Sequence, residues 1–264
     1  MYEGYQHILT KVEDGVGTIL FNRPQVGNAF ADESYFEVAD CIEKMGRDDA
    51  VGAIVTTGAG RFYSAGGDII RFREMIDSGE YLKYEGVIRA GLMGIAPKKC
   101  PKPVIAMING AAAGAGASFA LGCDFRFMTP KSQITMAFIN LGFPGDTGGA
   151  YFLERLVGAG KMTEMMMLGT PLYGEEAARL NVARLVPEED KLEEETYKFA
   201  RRLARGPLQG YKWQKRLFLE VFYGEIEKAN ALEAQGMSAC AVSQDLDEAV
   251  NAFLQKRKPR FVGK

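Results

Sequence analysis

The sequence predicts an α/β protein with a helical C-terminal region, and three observations support that class. Short runs rich in β-branched residues alternate with amphipathic or alanine-rich segments, which is typical of parallel strands joined by helices. After Pro187 the strand signal stops and long helical stretches follow. The 264 residues are 47% hydrophobic and 25% charged, so the chain is predicted to be globular and long enough to bury a large core.

The predicted strands fall in the first two thirds of the chain. Each is a short apolar or β-branched run, and the five are 17–21, 52–57, 104–108, 125–128 and 182–186. Between them, apolar residues at helical spacing predict helices at 34–45 and at 161–168, the second ending before a Gly-Thr-Pro break. We therefore expect an α/β core with mainly parallel connections over residues 1–190.

The remaining residues, 191–264, are predicted to be helical. Apolar residues recur at helical spacing in four segments, 191–205, 208–223, 226–235 and 246–255. A region of roughly 70 residues buries its apolar faces poorly by itself. We therefore expect it to pack on the core or on a second subunit.

Charge and composition exclude several classes of partner. Thirty-two basic and 34 acidic residues give a net charge of −2, which leaves no basic excess to neutralise a run of phosphates. The longest apolar or small stretch, 110–123, is shorter than the roughly 20 residues that cross a bilayer. The first residues show no signal-peptide pattern. We expect a cytoplasmic protein that binds neither nucleic acid nor membrane.

Histidine and cysteine are too sparse for several kinds of catalytic site. His7 is the only histidine, so a multi-histidine zinc site is excluded and a Ser-His or Cys-His arrangement has one candidate base. The four cysteines lie far apart, without a Cys-x-x-Cys pair. We expect reduced thiols, no metal, and acid-base chemistry carried by carboxylates.

Three glycine-rich segments, 64–68, 109–116 and 142–149, follow or lie near predicted strands. Glycine and alanine let backbone N–H groups approach a ligand closely, and the first amides of a helix lack intrahelical acceptors. Two such segments that converge would form an oxyanion hole. Alternatively, they only let helices and strands pack closely. A dinucleotide-binding G-x-G-x-x-G is not formed, because position 119 is phenylalanine.

Five motifs, in order and spread over nearly the whole chain, resemble the crotonase (enoyl-CoA hydratase/isomerase) superfamily. They are Asn22-Arg23-Pro24 with Asn28-Ala29, Phe62 to Asp68, Pro103 to Ala106 with Asn109-Gly110, Cys123-Asp124, and Lys258 to Phe261. The resemblance implies a crotonase-like spiral of ββα units, a helical C-terminal trimerisation region and an acyl-CoA thioester substrate. It also implies a homotrimer or hexamer, and no cofactor besides the coenzyme A of the substrate.

The resemblance implies roles for individual residues. The family's two oxyanion-hole amides fall on Gly67 and Ala115, where only the backbone is needed. Asp68, next to the hole, has a simpler interpretation as a helix N-cap. The substrate-binding positions that the resemblance indicates, with Arg23, Gln25 and Val26 near the coenzyme A adenine and pantetheine, are Arg23, Gln25, Val26, Ala65, Gly66, Asp68, Ser118, Phe138 and Phe143.

The sequence departs from the hydratase pattern at two of these positions. Enoyl-CoA hydratases place glutamates where this chain has Ser118 and Phe138, and neither side chain replaces a carboxylate in proton transfer. A carboxylate occurs instead at Asp146, where several other crotonases carry a catalytic aspartate. Asp146 has an alternative interpretation as a turn residue or N-cap. Phe138 and Phe143 would form an apolar wall, or simply pack in the core.

Three groups of crotonases resemble the Asp146 motif: ring-epoxide isomerase, dienoyl-CoA isomerase and 4-chlorobenzoyl-CoA dehalogenase. The dehalogenase's active-site tryptophan position is Phe138 here, and the dienoyl isomerase's other carboxylates fall on Ser118 and Phe138. We therefore expect an acyl-CoA isomerase in which Asp146 alone moves the proton. Two alternatives stay open: a hydratase or hydrolase in which Asp146 handles water, helped by Ser118 or Tyr63, and a non-catalytic acyl-CoA-binding protein.

Overall fold

The computed structural model describes residues 2–264. Within them the ten strands are β1 Ile8–Glu13, β2 Val16–Phe21, β3 Ala53–Gly58, β4 Phe62–Ser64, β5 Val104–Ile108, β6 Ala111–Ala113, β7 Phe125–Met128, β8 Gln133–Thr135, β9 Leu172–Tyr173 and β10 Arg184–Leu185. The ten α-helices of the same residues are α1 Asp32–Arg47, α2 Ile69–Ser78, α3 Tyr84–Lys99, α4 Ala115–Gly122, α5 Gly149–Leu168, α6 Gly174–Arg179, α7 Leu192–Ala204, α8 Leu208–Phe222, α9 Ile226–Cys240 and α10 Gln244–Leu254.

The strands form two sheets, and from β3 to β8 successive strands alternate between them. The six-stranded sheet has the order β1-β2-β3-β5-β7-β10, and the four-stranded sheet has the order β4-β6-β8-β9. Every pairing is parallel except β1 with β2 and β8 with β9. The pairs β3-β4, β5-β6 and β7-β8 therefore each give one strand to each sheet before a helical segment follows. This arrangement confirms the ββα spiral.

The predicted class and parallel connections are confirmed, with differences in detail. The strands 104–108 and 125–128 coincide with β5 and β7, whereas only Arg184–Leu185 of the predicted strand 182–186 pairs. The helix predicted at 161–168 is the second half of α5, which kinks at Gly158, where φ is +77°. The strands of the second sheet are only two or three residues long, and the sequence predictions missed them.

The helical C-terminal region packs on the core. Leu192 and Ala200 of α7 join Val55, Ile105 and Phe127 of the six-stranded sheet in one buried cluster. Helix α9 packs against α3, and α10 packs against α2. Because α7 shares a core with the sheet, no boundary is visible at 190/191, and that division stays a prediction. No helix within residues 2–264 is long and apolar enough to cross a membrane.

A buried arginine fixes the C-terminal end of α4. Arg126 donates through Nη1 to the carbonyls of Leu121, at 3.1 Å, and Cys123, at 2.6 Å, and through Nε to the carbonyl of Val182, at 2.6 Å. A cation at this end satisfies carbonyls that have no intrahelical donor and complements the helix dipole. The opposite, N-terminal end of α4 is thereby held at the ends of β4 and β6.

Candidate active site

Two of the three glycine-rich segments converge at the ends of β4 and β6. Gly66 has φ +92°, and a Cβ atom on it would lie 2.7 Å from the carbonyl oxygen of Ala113 and 3.3 Å from the Cα of Gly114. No side chain fits that gap, and φ values of this kind favour glycine. The sequence places these glycines where two backbone segments must touch.

Each segment presents a free backbone N–H. Gly67 lies between two backbone bonds, from Phe30 N to Gly66 O at 2.7 Å and from Asp68 N to Phe30 O at 3.1 Å, which hold the segment in place. Ala115 is the first residue of α4, after Gly114 at φ +51°. Among residues 2–264, no protein group accepts a hydrogen bond from the Gly67 or Ala115 amide. These are the donors that an oxyanion hole requires.

Asp146 lies in the third glycine-rich segment, between β8 and α5, and its side chain is only 6% exposed. The hydroxyl of Thr147 donates to its Oδ1 atom. Burial raises the pKa of Asp146 to about 6, and the bond from Thr147 opposes that shift in part. No ion pair with Asp146 occurs within the described part of the chain. A carboxyl of this kind gains and releases protons near neutral pH.

Two phenylalanines connect the Asp146 segment with the paired amides. Phe138 adjoins both segments, because a Cβ on Gly114 would lie 3.8 Å from its ring and a Cβ on Gly145 would lie 3.5 Å from it. The ring centroids of Phe143 and Phe72 are 5.6 Å apart, and Phe72 reaches within 2.9 Å of a Cβ on Gly67. Phe138 and Phe143 are therefore buried core residues whose rings lie between the amide segments and the Asp146 segment or pack on a ring that does.

Ser118 and Tyr63 both have fully buried hydroxyls, in different surroundings. Ser118 is fully buried and packs under the start of α5, where a Cβ on Gly149 would lie 2.3 Å from its Oγ atom. The Oγ atom has no hydrogen-bond partner within residues 2–264. The hydroxyl of Tyr63, also fully buried, lies 2.8 Å from Thr56 Oγ1 in the core. The predicted help of Tyr63 in handling water is therefore wrong.

The segment with Arg23 is tied to the amide pair by an ion pair. Arg23 Nη2 lies 2.9 Å from Asp68 Oδ2, and Nη1 donates to the carbonyl of Ala29 at 2.7 Å. Asp68 is also the N-cap of α2, as its simpler interpretation predicted, and accepts from Ile70 N at 3.1 Å. Arg23 thus holds the loop in place.

The short 3-10 helix Pro24–Val26 stands beside the amide pair, with Gln25 exposed and Val26 half-buried. A Cβ on Gly27, at the end of this helix, would lie 3.3 Å from the Cβ of Ala65. The predicted adenine and pantetheine positions therefore adjoin the predicted oxyanion hole. Their contact with coenzyme A stays a prediction.

Replacing Asp68 with alanine is expected to lower the free energy of unfolding by about 1–2 kcal/mol, because the N-cap and the ion pair are lost together. Asp68→Asn keeps a capping oxygen and loses the charge, so its loss should be smaller. Urea unfolding measures both. Equal stability of the two variants would show that the cap contributes nothing.

Two polar residues near Asp146 were missed by the sequence analysis. The hydroxyl of Tyr35, on α1, is close to Gly67, since a Cβ there would lie 3.8 Å from it. The pKa of Tyr35 is raised well above its usual value, chiefly by burial and next by the charge of Asp146. Glu233, on α9, accepts a hydrogen bond through Oε2 from Gly148 N at 2.8 Å. No motif marks either residue, and only the fold brings them to the site.

The single histidine is engaged elsewhere. His7 Nδ1 lies 2.9 Å from Ser34 Oγ, and that oxygen accepts from Ala31 N at the start of α1. This pair is part of a helix cap. Within residues 2–264 no three His, Cys, Asp or Glu side chains are grouped so that they could hold a metal ion.

The fold and site define a class of protein: a ββα spiral that presents two free amides beside a buried carboxyl. The family profile described as enoyl-CoA hydratase/isomerase matches residues 11–264. The chain therefore belongs to the enoyl-CoA hydratase/isomerase family, within the crotonase superfamily, and is an enzyme of that family.

Individual relatives carry different names. Trans-2-decenoyl-[acyl-carrier-protein] isomerase of Streptococcus mutans is 31% identical, and 1,2-epoxyphenylacetyl-CoA isomerase of Escherichia coli is 34% identical; each match covers 98% of this chain and 99% of the relative. The crystal structure of an enoyl-CoA hydratase from Mycobacterium avium subsp. paratuberculosis superposes with a TM-score of 0.89 at 27% identity, covering 98% of this chain and all of that one. These names leave isomerase and hydratase undistinguished.

Proposed function

We propose that this enzyme is an acyl-CoA isomerase that moves a proton along the acyl chain of a thioester. One observation carries the proposal: a buried carboxyl, Asp146, with a pKa near 6, lies in the segment that Phe138 joins to the free amides. A carboxyl that ionises near neutral pH serves both as base and, once protonated, as acid.

The chemistry follows from the positions of these groups. The Asp146 carboxylate takes a proton from one carbon next to the double bond, and the electron pair of that C–H bond delocalises into the thioester as an enolate. The N–H groups of Gly67 and Ala115 stabilise the charge on the thioester oxygen. Protonated Asp146 then returns the proton to a second carbon, which shifts the double bond and restores the carboxylate. With a strained ring whose heteroatom is bonded to the β carbon, the enolate electron pair would instead form the α–β double bond while the bond to that heteroatom breaks, and protonated Asp146 would give its proton to the released heteroatom.

The surroundings favour isomerisation over hydration. Hydration by two glutamates would need carboxyls at Ser118 and Phe138, and the first is a buried hydroxyl under α5 while the second is an apolar ring. The rings of Phe138 and Phe143 next to the Asp146 segment disfavour the water that would compete for an enolate.

Hydration is the second candidate, because Glu233 places another carboxyl near Asp146. The hydratase in M. avium subsp. paratuberculosis also shares the fold. In that case Asp146 and Glu233 would hold one water between them.

We further propose an acyl-CoA thioester substrate, a homotrimer or hexamer, and no cofactor besides the coenzyme A of the substrate. An exposed apolar stripe on α8 supports self-association, since large apolar surfaces usually mark contacts. Its members are Trp213, Leu217, Phe218, Val221 and Phe222.

Incubation of trans-2-enoyl-CoA and cis-3-enoyl-CoA thioesters in heavy water, followed by mass spectrometry and NMR of the products, tests the proposal. We expect isomerised product with deuterium at the α or γ carbon from the wild-type enzyme and none from Asp146→Asn. A 3-hydroxyacyl-CoA product that carries ¹⁸O from labelled water would support hydration and overturn the isomerase assignment. Free coenzyme A would indicate hydrolysis.

A further inference from the structure

The loop that carries Asp146 has an unusual backbone. Thr147 is fully buried and has φ +63°, a left-handed conformation that β-branched residues rarely adopt. It stands between Gly145 and Gly148, at φ +115° and +77°. A conformation of this kind persists only where the surroundings hold it. The direction of the Asp146 side chain therefore depends on contacts outside the loop.

Helix α9 supplies two of those contacts. Glu233 Oε2 accepts from the Gly148 N–H at 2.8 Å, one residue beyond the strained Thr147. Three residues later on the same helix, a Cβ on Gly236 would lie 2.9 Å from Pro144. Contacts before and after Asp146 thus come from one helix.

We propose that Glu233 is a positioning residue for Asp146: it holds the Gly148 amide so that the loop keeps its strained conformation, and its carboxyl shares a proton-binding equilibrium with Asp146. This inference rests on the proposed function of Asp146. It assigns to the C-terminal helical region a part in the active site of its own chain.

The electrostatics agree with this geometry. The pKa of Glu233 is raised to about 7, chiefly by burial and also by the charge of Asp146, against the lowering effect of hydrogen bonds from the Gly148 and Ala150 amides. Coupling between two sites is mutual, so the charge of Glu233 also opposes ionisation of Asp146. Like charges at neighbouring sites separate the two ionisations, so the pair carries a single negative charge between about pH 6 and pH 7.

Few other titratable groups face Glu233 and Asp146. Tyr35, facing Asp146 from α1, stays protonated because its pKa is well above the usual value. Asp245, beside Gly142 at the start of α10, accepts from Val262 N and Gly263 N. The contacts that α3 and α5 make with the loop come from Gly94, Phe152 and Met166, which are uncharged. No ion pair of Glu233 occurs in residues 2–264.

Two substitutions of Glu233 distinguish its two proposed roles, holding the loop and sharing a proton with Asp146. Glu233→Gln keeps an oxygen that accepts from Gly148 N but cannot ionise, whereas Glu233→Ala loses both properties. Glu227→Gln is the matched control, because Glu227 lies on the same helix and pairs with Lys99 at the surface. Kinetics of the heavy-water reaction between pH 5 and 9, with urea unfolding of each variant, provide the readouts.

We expect Glu233→Ala to lower kcat by about tenfold with KM nearly unchanged, since a charge-assisted hydrogen bond behind the catalytic group is lost. The wild-type profile of log kcat/KM should show a second inflection near pH 7, and Glu233→Gln should remove it while keeping most of kcat. Glu227→Gln should match the wild type.

An inflection near pH 7 that survives in Glu233→Gln would overturn the proposal, and so would a Glu233→Ala enzyme with wild-type kcat. Asp146→Asn distinguishes this failure from failure of the proposed function. If Asp146→Asn is inactive while both Glu233 variants behave like Glu227→Gln, Asp146 keeps its role and only Glu233 loses the one assigned. If Asp146→Asn is fully active, the proposed function itself fails.

Discussion

Asp146→Asn is expected to lower kcat by about a thousandfold while the protein remains folded. Asparagine has nearly the shape of aspartate and keeps an oxygen for the Thr147 hydroxyl, but it neither accepts nor returns a proton at neutral pH. General acid-base catalysis typically contributes a factor of about 10² to 10⁴. Steady-state kinetics on the substrate that proves active in heavy water would measure the loss.

The pH dependence gives an independent check of the same residue. The carboxylate form acts as base, so kcat/KM of the wild type should fall about tenfold per pH unit below pH 6. Stability runs in the opposite direction. Because the folded-state pKa is raised from 3.8 to about 6, the folded protein holds the proton more tightly than the unfolded chain, and this contribution is lost as pH rises through 6.

The neutral Asp146→Asn variant does not lose stability in this way, because it has no carboxyl to ionise. Its free energy of unfolding in urea should exceed that of the wild type by about 3 kcal/mol at pH 8, and the two proteins should be nearly equal near pH 4. A variant that is inactive and less stable at both pH values would indicate a structural role for Asp146 instead. Undiminished turnover would exclude Asp146 as the catalytic base.

The parts of the fold that could be predicted are those with local periodicity. Strand β5 is a continuous apolar run buried on both faces, and β7 is a short run of large side chains that is apolar except for Arg126, so the bounds of both were evident from sequence. β6 is three alanines, and alanine has little strand propensity; it is extended because β4 and β8 pair on either side of it. Pairing between distant segments decides such strands, and periodicity within them does not.

The site residues also divide into those that the sequence predicts and those that only the fold reveals. Gly67, Ala115 and Asp146 lie in glycine-rich segments that sequence marks, because close backbone approach restricts the residue type. In the sequence Glu233 looks like the other glutamates of the C-terminal helices, and its partner Gly148 is 85 positions away in sequence. Tyr35 likewise lies on α1 with nothing in its neighbours to indicate Asp146. Long-range packing creates these contacts, so only the tertiary structure reveals them.

Ala115→Pro is expected to lower kcat by about a hundredfold to a thousandfold, because it removes one of the two N–H groups that stabilise the enolate oxygen. A backbone donor is normally beyond the reach of mutagenesis, but Ala115 is the first residue of α4. Proline is well tolerated at that position, where the N–H has no intrahelical acceptor and the required φ suits the ring. The preceding residue is Gly114, which lacks the Cβ that would collide with the ring.

Ala115→Gly is the matched control, since it changes the same side chain and keeps the N–H. Both variants should unfold cooperatively in urea, and both should bind a saturated acyl-CoA with similar affinity, because its uncharged thioester oxygen gains much less from the donor than an enolate does. The loss should then fall on kcat in the proline variant alone. Near wild-type turnover of a well-folded Ala115→Pro would mean that the charge is stabilised elsewhere. A free amide at a helix start would in that case be a consequence of how α4 begins, with no part in the chemistry.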